Sequence, residues 1–258
     1  MKVLAGDEAF YFKHNGDSLE GMILTQVDDF FLAGKSDFIE AMTKKIQENL
    51  TISKIEKDKF RFNGIDVLKT DKGIEISMKD YAESIEEIKD IRKAKKEEPL
   101  TKIEMKLYRK MTGKINWLAD NTRPDLAICA LSMSRRNSKA TIGDLKMVNH
   151  VVKRIKNKEN KVVFTKVGKK EDFIIHGLGD ASYKCDEKSI GGNLVLLGNM
   201  NNNDAVPLLW KTKTITQVCH SAKDAETRNV TKLVDDMIYL NAAIGATFVW
   251  QSNEQNSS

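Results

Sequence analysis

Two pairs of carboxylates carry whatever chemistry this sequence can do. Asp28 and Asp29 stand side by side between two apolar runs, Met22-Ile23-Leu24 and Phe30-Phe31-Leu32. The pattern reads as strand, tight turn, strand. Asp180, in Gly-Leu-Gly-Asp-Ala-Ser-Tyr, and Glu226, in Asp-Ala-Glu-Thr-Arg-Asn, make the second pair. The first of these would sit at a strand and the other on a helix facing it. Oxygen ligands on rigid supports are what divalent cations need in order to transfer or cleave phosphoryl groups, so each pair reads as part of a two-metal site. Each is also short of ligands. Asp7 and Asp17 are the only aspartates before the first pair, and neither ends a convincing strand. Asp224 lies two residues from Glu226 and cannot share its direction on a regular helix. Asp235 and Asp236 lie further along and read as a solvated face or as salt-bridge partners, and Asp186 as a loop residue. An isolated Val-Asp-Asp is more often a polar turn between buried strands. His14, His150 and His176 share no spacing, His220 reads as a cap or a core hydrogen bonder, and no phosphate-cradling glycine loop is present.

The elements that must hold these residues follow from periodicity. Residues 1–34 read as strands. Ser36 is placed to cap a helix with Phe38, Ile39, Met42 and Ile46 on one face. Phe60 and Phe62, the Asn63-Gly64 break and the alternating Ile74, Ile76 and Met78 read as a hairpin packed beside the first strands. Residues 79–158 read mostly as helices. Tyr81, Ile85 and Ile88 share a face, and Tyr108, Met111, Ile115 and Leu118 form a stripe broken at Asn121–Pro124. Leu126–Met133 reads as a buried helix, and Thr141 caps a further one with Leu145, Val148, Val152 and Ile155 inward. The charged stretch Lys89–Glu98 before Pro99 reads as a hinge. Beyond Asn160 the pattern becomes strand-like, at Val162–Phe164, Phe173–Gly179, Gly191–Leu197, Val206–Trp210 and Ile215–Val218. A long helix from about Ser221 to Ala243 then suggests a separate α/β unit, and the tail from Gln251 is polar.

A chain of 258 residues with 41% hydrophobic residues can build real cores, and three prolines argue against disorder. No apolar run approaches the roughly 18 residues of a membrane span, and no secretory segment opens the chain. Cys129, Cys185 and Cys219 are scattered and odd in number, which fits free thiols in a reducing, intracellular setting, nucleus or cytoplasm. The net charge of +5 is modest, but residues 146–170 hold nine Lys or Arg against Glu159 alone. Such a run either meets a polyanion or is a solvated helix face. Lys146, Lys153, Arg154, Lys156, Lys158 and Lys161 are the candidate phosphate contacts, joined by Lys211 and Lys213 beside Trp210. Trp210 itself reads either as a base-stacking ring or as core closure.

The ordered series of motifs resembles the C-terminal part of a Ty1/copia-type retrotransposon polyprotein. Gln26-Val-Asp-Asp-Phe-Phe-Leu-Ala-Gly34 looks like the palm motif, with Gln26 departing from the usual residue. Phe60-Arg-Phe-Asn-Gly-Ile-Asp66 and Ile76-Ser-Met-Lys-Asp-Tyr81 look like the hairpin and thumb entry. Tyr108-Arg-Lys-Met-Thr-Gly-Lys-Ile-Asn-Trp-Leu118 and Thr122-Arg-Pro-Asp-Leu126 look like the thumb signature. Gly179-Asp-Ala-Ser182 and Ser221-Ala-Lys-Asp-Ala-Glu226 resemble a ribonuclease H domain.

The resemblance implies an α+β and α/β chain. A partial reverse-transcriptase palm and hairpin would span 1–78, a helical thumb or connection 79–160 and a ribonuclease-H-like mixed-sheet domain 161–250, with a tail at 251–258. It implies that Asp28, Asp29, Asp180 and Glu226 descend from metal ligands. A third palm aspartate, the fingers and the next nuclease carboxylate would all lie outside this sequence. Both centres are therefore expected to be incomplete, with no cofactor firmly implied and Mg2+ or Mn2+ only where another chain completes a site. The leading expectation is a retroelement-derived subunit that binds nucleic acid, RNA or an RNA–DNA hybrid, or serves assembly. It would be catalytically deficient alone, and self-association or another protein would cover the palm. A split polymerase or ribonuclease H and a purely protein-binding scaffold are the alternatives.

Overall fold

The computed structural model describes residues 1–158, 161–185 and 188–248. Its first layer is a four-stranded antiparallel meander, β1 (Lys2–Leu4), β2 (Asp7–Asn15), β3 (Ser18–Gln26) and β4 (Asp29–Gly34), in that order across the sheet. Helix α1 (Ser36–Asn49) packs back on β3, where a Cβ at Gly21 would overlap the Phe38 ring. Phe38 is buried and Ile39, Met42 and Ile46 are half-buried, as their spacing predicts. The cap differs: Lys35 is the N-cap, Ser36 is already helical, and no side chain caps the turn.

A second antiparallel sheet holds β5 (Lys59–Phe62), β6 (Ile65–Thr70) and β7 (Gly73–Ser77). Asn63 and Gly64 turn the first hairpin with φ of 49° and 77°, a conformation that Asn-Gly adopts at little cost. The fourth strand, β8 (Val162–Thr165), comes from far along the chain and pairs with β7. Grouping Val162–Phe164 with the C-terminal unit is thus corrected. Its apolar run marks a strand but carries no information about which edge it joins. Phe31 of β4 lies between Phe60 and Phe62, with ring centroids at 5.5 and 5.7 Å, and so joins the two sheets.

The helical middle comprises α2 (Lys79–Glu83), α3 (Lys102–Asn121), α4 (Ala127–Arg135) and α5 (Ile142–Asn157). Capping boxes open α3 (Thr101 with Glu104) and α5 (Thr141 with Asp144). The stripes on α3 and α5 close one core with Ile85, Leu126, Ala130 and Met133. The Lys89–Glu98 stretch is not a hinge but a strap. Arg92 pairs with Glu98 and Glu104, and Ile142 and Gly143 donate their N–H groups to the carbonyls of Glu98 and Lys96. The amide of Asn149 accepts from Ile88 N and donates to Ile88 O.

The C-terminal unit is a three-stranded antiparallel sheet, order β11-β10-β9, made of β9 (Phe173–Cys185), β10 (Lys188–Asn199) and β11 (Ala205–Thr214), with α6 (Ala222–Phe248) across it. Among the described residues every pairing in this sheet is antiparallel, which corrects the mixed sheet that the resemblance implied. Strand β9 continues through Asp180 instead of ending there, β11 is one strand to Thr214, Ile215–Val218 forms none, and the helix reaches Phe248. Trp210 closes the core: its Nε1 donates to Ala119 O of α3 at 2.9 Å. The far end of α6 reaches the first sheet, where His14 Nε2 donates to Thr247 O at 2.7 Å.

Candidate functional site

Asp28 and Asp29 lie where the sequence puts them, at a strand turn. Gln26 pairs with Asp29, leaving Val27 and Asp28 as a two-residue loop. Val27 has φ of 52° and is 91% exposed, a left-handed conformation that a β-branched residue adopts only under strain. Both aspartates are exposed, and neither makes an ion pair or side-chain hydrogen bond among the described residues. Asp7 does not join them, because its carboxylate accepts from Ala9 N within its own turn.

The second pair is brought into one neighbourhood by close helix-on-sheet packing. A Cβ at Gly177 or Gly191 would overlap Met237 or Asn229 of α6, so these glycines let the helix lie directly on β9 and β10. Asn229 then donates to the carbonyls of Asp180 (3.0 Å) and Gly192 (3.3 Å), and Glu226 accepts from Ala181 N at 3.2 Å. The Glu226 carboxylate thus reaches the backbone beside Asp180. Strand alternation, however, sets Gly177, Gly179 and Ala181 toward α6 and turns the side chain of Asp180 to the opposite face. Among the described residues no three His, Cys, Asp or Glu side chains converge to hold a metal ion.

The neighbouring acids have structural work. Asp224 accepts from His220 N at 3.0 Å and pairs with Arg228 at 2.7 Å, which holds its carboxyl below the ordinary range. His220 thereby belongs to the cap of α6, as expected. Asp236 pairs with Lys211 at 2.6 Å and Asp235 with Lys232 at 3.4 Å, matching their reading as salt-bridge partners. Asp186 lies outside the described residues.

The basic residues divide into two groups. Lys153 faces Glu87, Arg154 faces Asp125, Lys161 faces Glu75 and Lys211 faces Asp236, each within 3.6 Å. Lys146, Lys156, Lys158 and Lys213 are exposed and make no ion pair among the described residues. Lys146, His150, Lys153 and Asn157 recur at helical spacing on the exposed side of α5, whose opposite stripe is buried.

Arg123 is 2% exposed, grips Asp125 with Nε and Nη2 at 2.8 and 3.0 Å, and donates through Nη1 to Lys158 O (2.9 Å) and Ile155 O (3.4 Å). It fastens the α3–α4 corner to the end of α5. The sequence showed an arginine between Thr122 and Pro124, but not its burial.

No protein-family model and no curated protein matches the chain. Among solved structures it is similar to a foamy viral protease–reverse transcriptase determined in complex with an RNA/DNA hybrid. The TM-score is 0.50 and the identity 16%, over 86% of this chain. The chain corresponds to 29% of that protein's length. At this identity the likeness concerns the fold: several antiparallel sheets and helices arranged in outline as in part of that polymerase. It does not single out the Ty1/copia type. Among the described residues no helix is long and apolar enough to cross a membrane.

Proposed function

We propose that this chain is a retroelement-derived subunit that binds nucleic acid, RNA or an RNA–DNA hybrid, through the exposed side of α5, and that alone it lacks polymerase and nuclease activity. In this reading 1–78 descends from a palm and hairpin, which β8 completes, 79–160 from a thumb or connection, and the unit from β9 to α6 from a ribonuclease H domain of the Ty1/copia kind. The observation that carries it is a set of exposed lysines on and just beyond α5. Lys146 and Lys156, with Lys158 just beyond, have no internal carboxylate to satisfy them, on a chain whose fold resembles a polymerase solved with a hybrid. Lysines that internal acids do not neutralise are free to release counterions from a phosphate backbone.

The test is fluorescence anisotropy with a labelled RNA–DNA hybrid across a salt series. Each phosphate contact contributes about 0.9 to the slope of log K against log salt on a duplex. Lys146→Gln with Lys156→Gln should therefore flatten the slope by about 1–2. Binding that is absent, or indifferent to salt and to both substitutions, would sink the proposal.

A second reading is a split enzyme. It is favoured by Asp28 and Asp29, which stand exposed at the β3–β4 turn with no internal partner among the described residues. Hybrid cleavage or primer extension with Mg2+ or Mn2+ that appears when a second chain is added, and is lost in Asp180→Asn or Asp29→Asn, would establish it.

A further inference from the structure

We infer that the free edge of β9 pairs with the β9 of a second copy of this chain, antiparallel about a two-fold axis at Leu178, so that the two C-terminal sheets become one. Among the described residues β9 is an outer strand of its sheet, and it runs alongside β10 in unbroken register from Phe173 to Ser182. Ala181 gives its N–H to Glu226 and not to β10. Alternation then turns the N–H and C=O groups of Ile175, Gly177, Gly179 and Ala181 outward, a row that an antiparallel strand can pair. Between Phe173 and Ser182 there is no Pro, Lys or bulge of the kind that protects an edge. On the face away from α6, Leu178 is 57% exposed, and His176 and Asp180 are exposed on either side of it.

The partner is a second copy because the edge is complementary to itself. With the axis at Leu178, the two leucines oppose each other, and His176 of each copy opposes Asp180 of the other. These fall at non-hydrogen-bonded positions, where opposing side chains come closest, while Ile175 with Ala181 and Gly177 with Gly179 exchange the backbone bonds. The His176 ring rests over Gly198 in the single chain and turns toward the edge to do so. The two neighbouring registers set Asp180 against Ile174 or Leu178 and lose the charge pair. The helix agrees with the same axis. Glu226 reaches an outward N–H of β9, so it stands on the flank of α6 that overhangs the edge, and Val230 and Val234 follow on that flank at helical spacing. Both are 45% exposed. Leu233 lies over Gly177 and Gly179, which sets this part of α6 level with Leu178. Asn229 bonds to β9 and β10 together, so the helices of the two copies would stand about two strand spacings, roughly 10 Å, apart, a distance at which helices pack. The valines of one copy then meet those of the other. Pairing displaces Glu226 from Ala181 N, and Ile175 O of the second copy takes its place.

The experiment is sedimentation velocity of the full chain over a concentration series, with hydrogen exchange at both ends of the series. Nucleic acid is left out, so the outcome is independent of the function proposed above. A monomer–dimer equilibrium is expected, with the amides of Ile175, Gly177 and Gly179 protected only at the concentrated end. Leu178→Lys sets two like charges on the axis, and His176→Glu sets Glu against Asp180 twice. Each should weaken the dimer about tenfold or more. Both positions are exposed, so both variants should fold, which far-UV circular dichroism checks. His176→Glu with Asp180→Lys rebuilds opposite charges only in this register and should restore the dimer. A chain that stays monomeric throughout overturns the proposal, whether its edge amides exchange freely or are covered from within the chain. So does a dimer that ignores Leu178→Lys and His176→Glu, or one that the double variant does not restore.

Discussion

Arg123 is the place to perturb the helical unit. The structure gives it four hydrogen bonds at 2.8–3.4 Å and 2% exposure, so Arg123→Ala removes the whole clasp and leaves its partners behind. Breaking a buried ion pair by deleting one member costs about 3–5 kcal/mol, and each buried carbonyl left open adds about 1–3 kcal/mol. These terms do not add fully. Asp125 keeps the exposed Arg154 at 3.5 Å, which returns part of the loss. We expect about 3–4 kcal/mol for Arg123→Ala, and less for Arg123→Lys, which keeps the charge but not the fork. At about 2–4 °C per kcal/mol for a chain of this size, the alanine variant should melt roughly 10 °C lower. Urea unfolding followed by far-UV circular dichroism measures the loss. Hydrogen exchange over α5 locates it, because the freed carbonyls end that helix. A loss under about 1 kcal/mol, with unchanged exchange at the end of α5, would refute the view that the clasp holds the α3–α4 corner to α5.

Two further predictions follow from packing and ionisation. Gly191→Ala should cost more than about 2 kcal/mol, because its Cβ would overlap Asn229 and force α6 off the sheet, whereas Gly192→Ala, with open space around it, should cost under about 1 kcal/mol. Equilibrium unfolding of the pair, read in the C-terminal unit by hydrogen exchange, decides the matter. Burial pushes the Tyr108 phenol up to about 12, and its hydroxyl donates to Met133 O at 2.9 Å. The folded state therefore holds this proton more tightly than the unfolded chain. The stability tied to it is intact below about pH 10 and is lost as pH rises toward 12, about 2–3 kcal/mol in all. Tyr108→Phe should lose about 1 kcal/mol at neutral pH and show a correspondingly shallower alkaline decline, measured by urea midpoints at stepped pH.

Local periodicity made much of this fold legible. The spacing of Tyr108, Met111, Ile115 and Leu118 matches a helix, and all four are buried. Thr141 caps as its type suggests, and Asn63-Gly64 turns a hairpin. What stayed hidden was non-local. The edge that β8 joins is set by a partner about ninety residues earlier, which no window of sequence contains. Strand β9 runs past Asp180 through Ser182 and Lys184, where apolar alternation fails but backbone pairing with β10 continues. The Lys89–Glu98 stretch has the composition of a solvated hinge, and only tertiary structure places Glu104 and Asn149 to fasten it. At the candidate sites the turn holding Asp28 and Asp29 was readable, and so was the approach of Glu226 to β9. The direction of the Asp180 side chain and the internal partners of Lys153, Arg154, Lys161 and Lys211 were not, since a charge count does not show what each charge faces.

That last distinction separates structure from function along the motif series. Arg61 binds Asp66 and Asp80 at 2.7 and 2.9 Å, and these hydrogen bonds, helped by the carboxylate charges, raise its pKa. Tyr108 donates to Met133 O, Arg109 to Asn137 O, Asn116 to Ser134 Oγ and Arg123 to Asp125. Every one of these motif residues is engaged inside the fold, and together they hold the hairpin to α2 and α3 to its neighbours. Their presence is explained by packing whether or not the chain performs any reaction. Asp28, Asp29, Lys146, Lys156, Lys158 and Lys213 are different: they are exposed and have no internal ion-pair partner among the described residues. The fold does not require these charges, so substitutions there should leave stability within about 0.5 kcal/mol and be felt, if anywhere, in binding. A functional scan of this protein should therefore start from the charges that the structure leaves unused and treat the engaged motif residues as its scaffold.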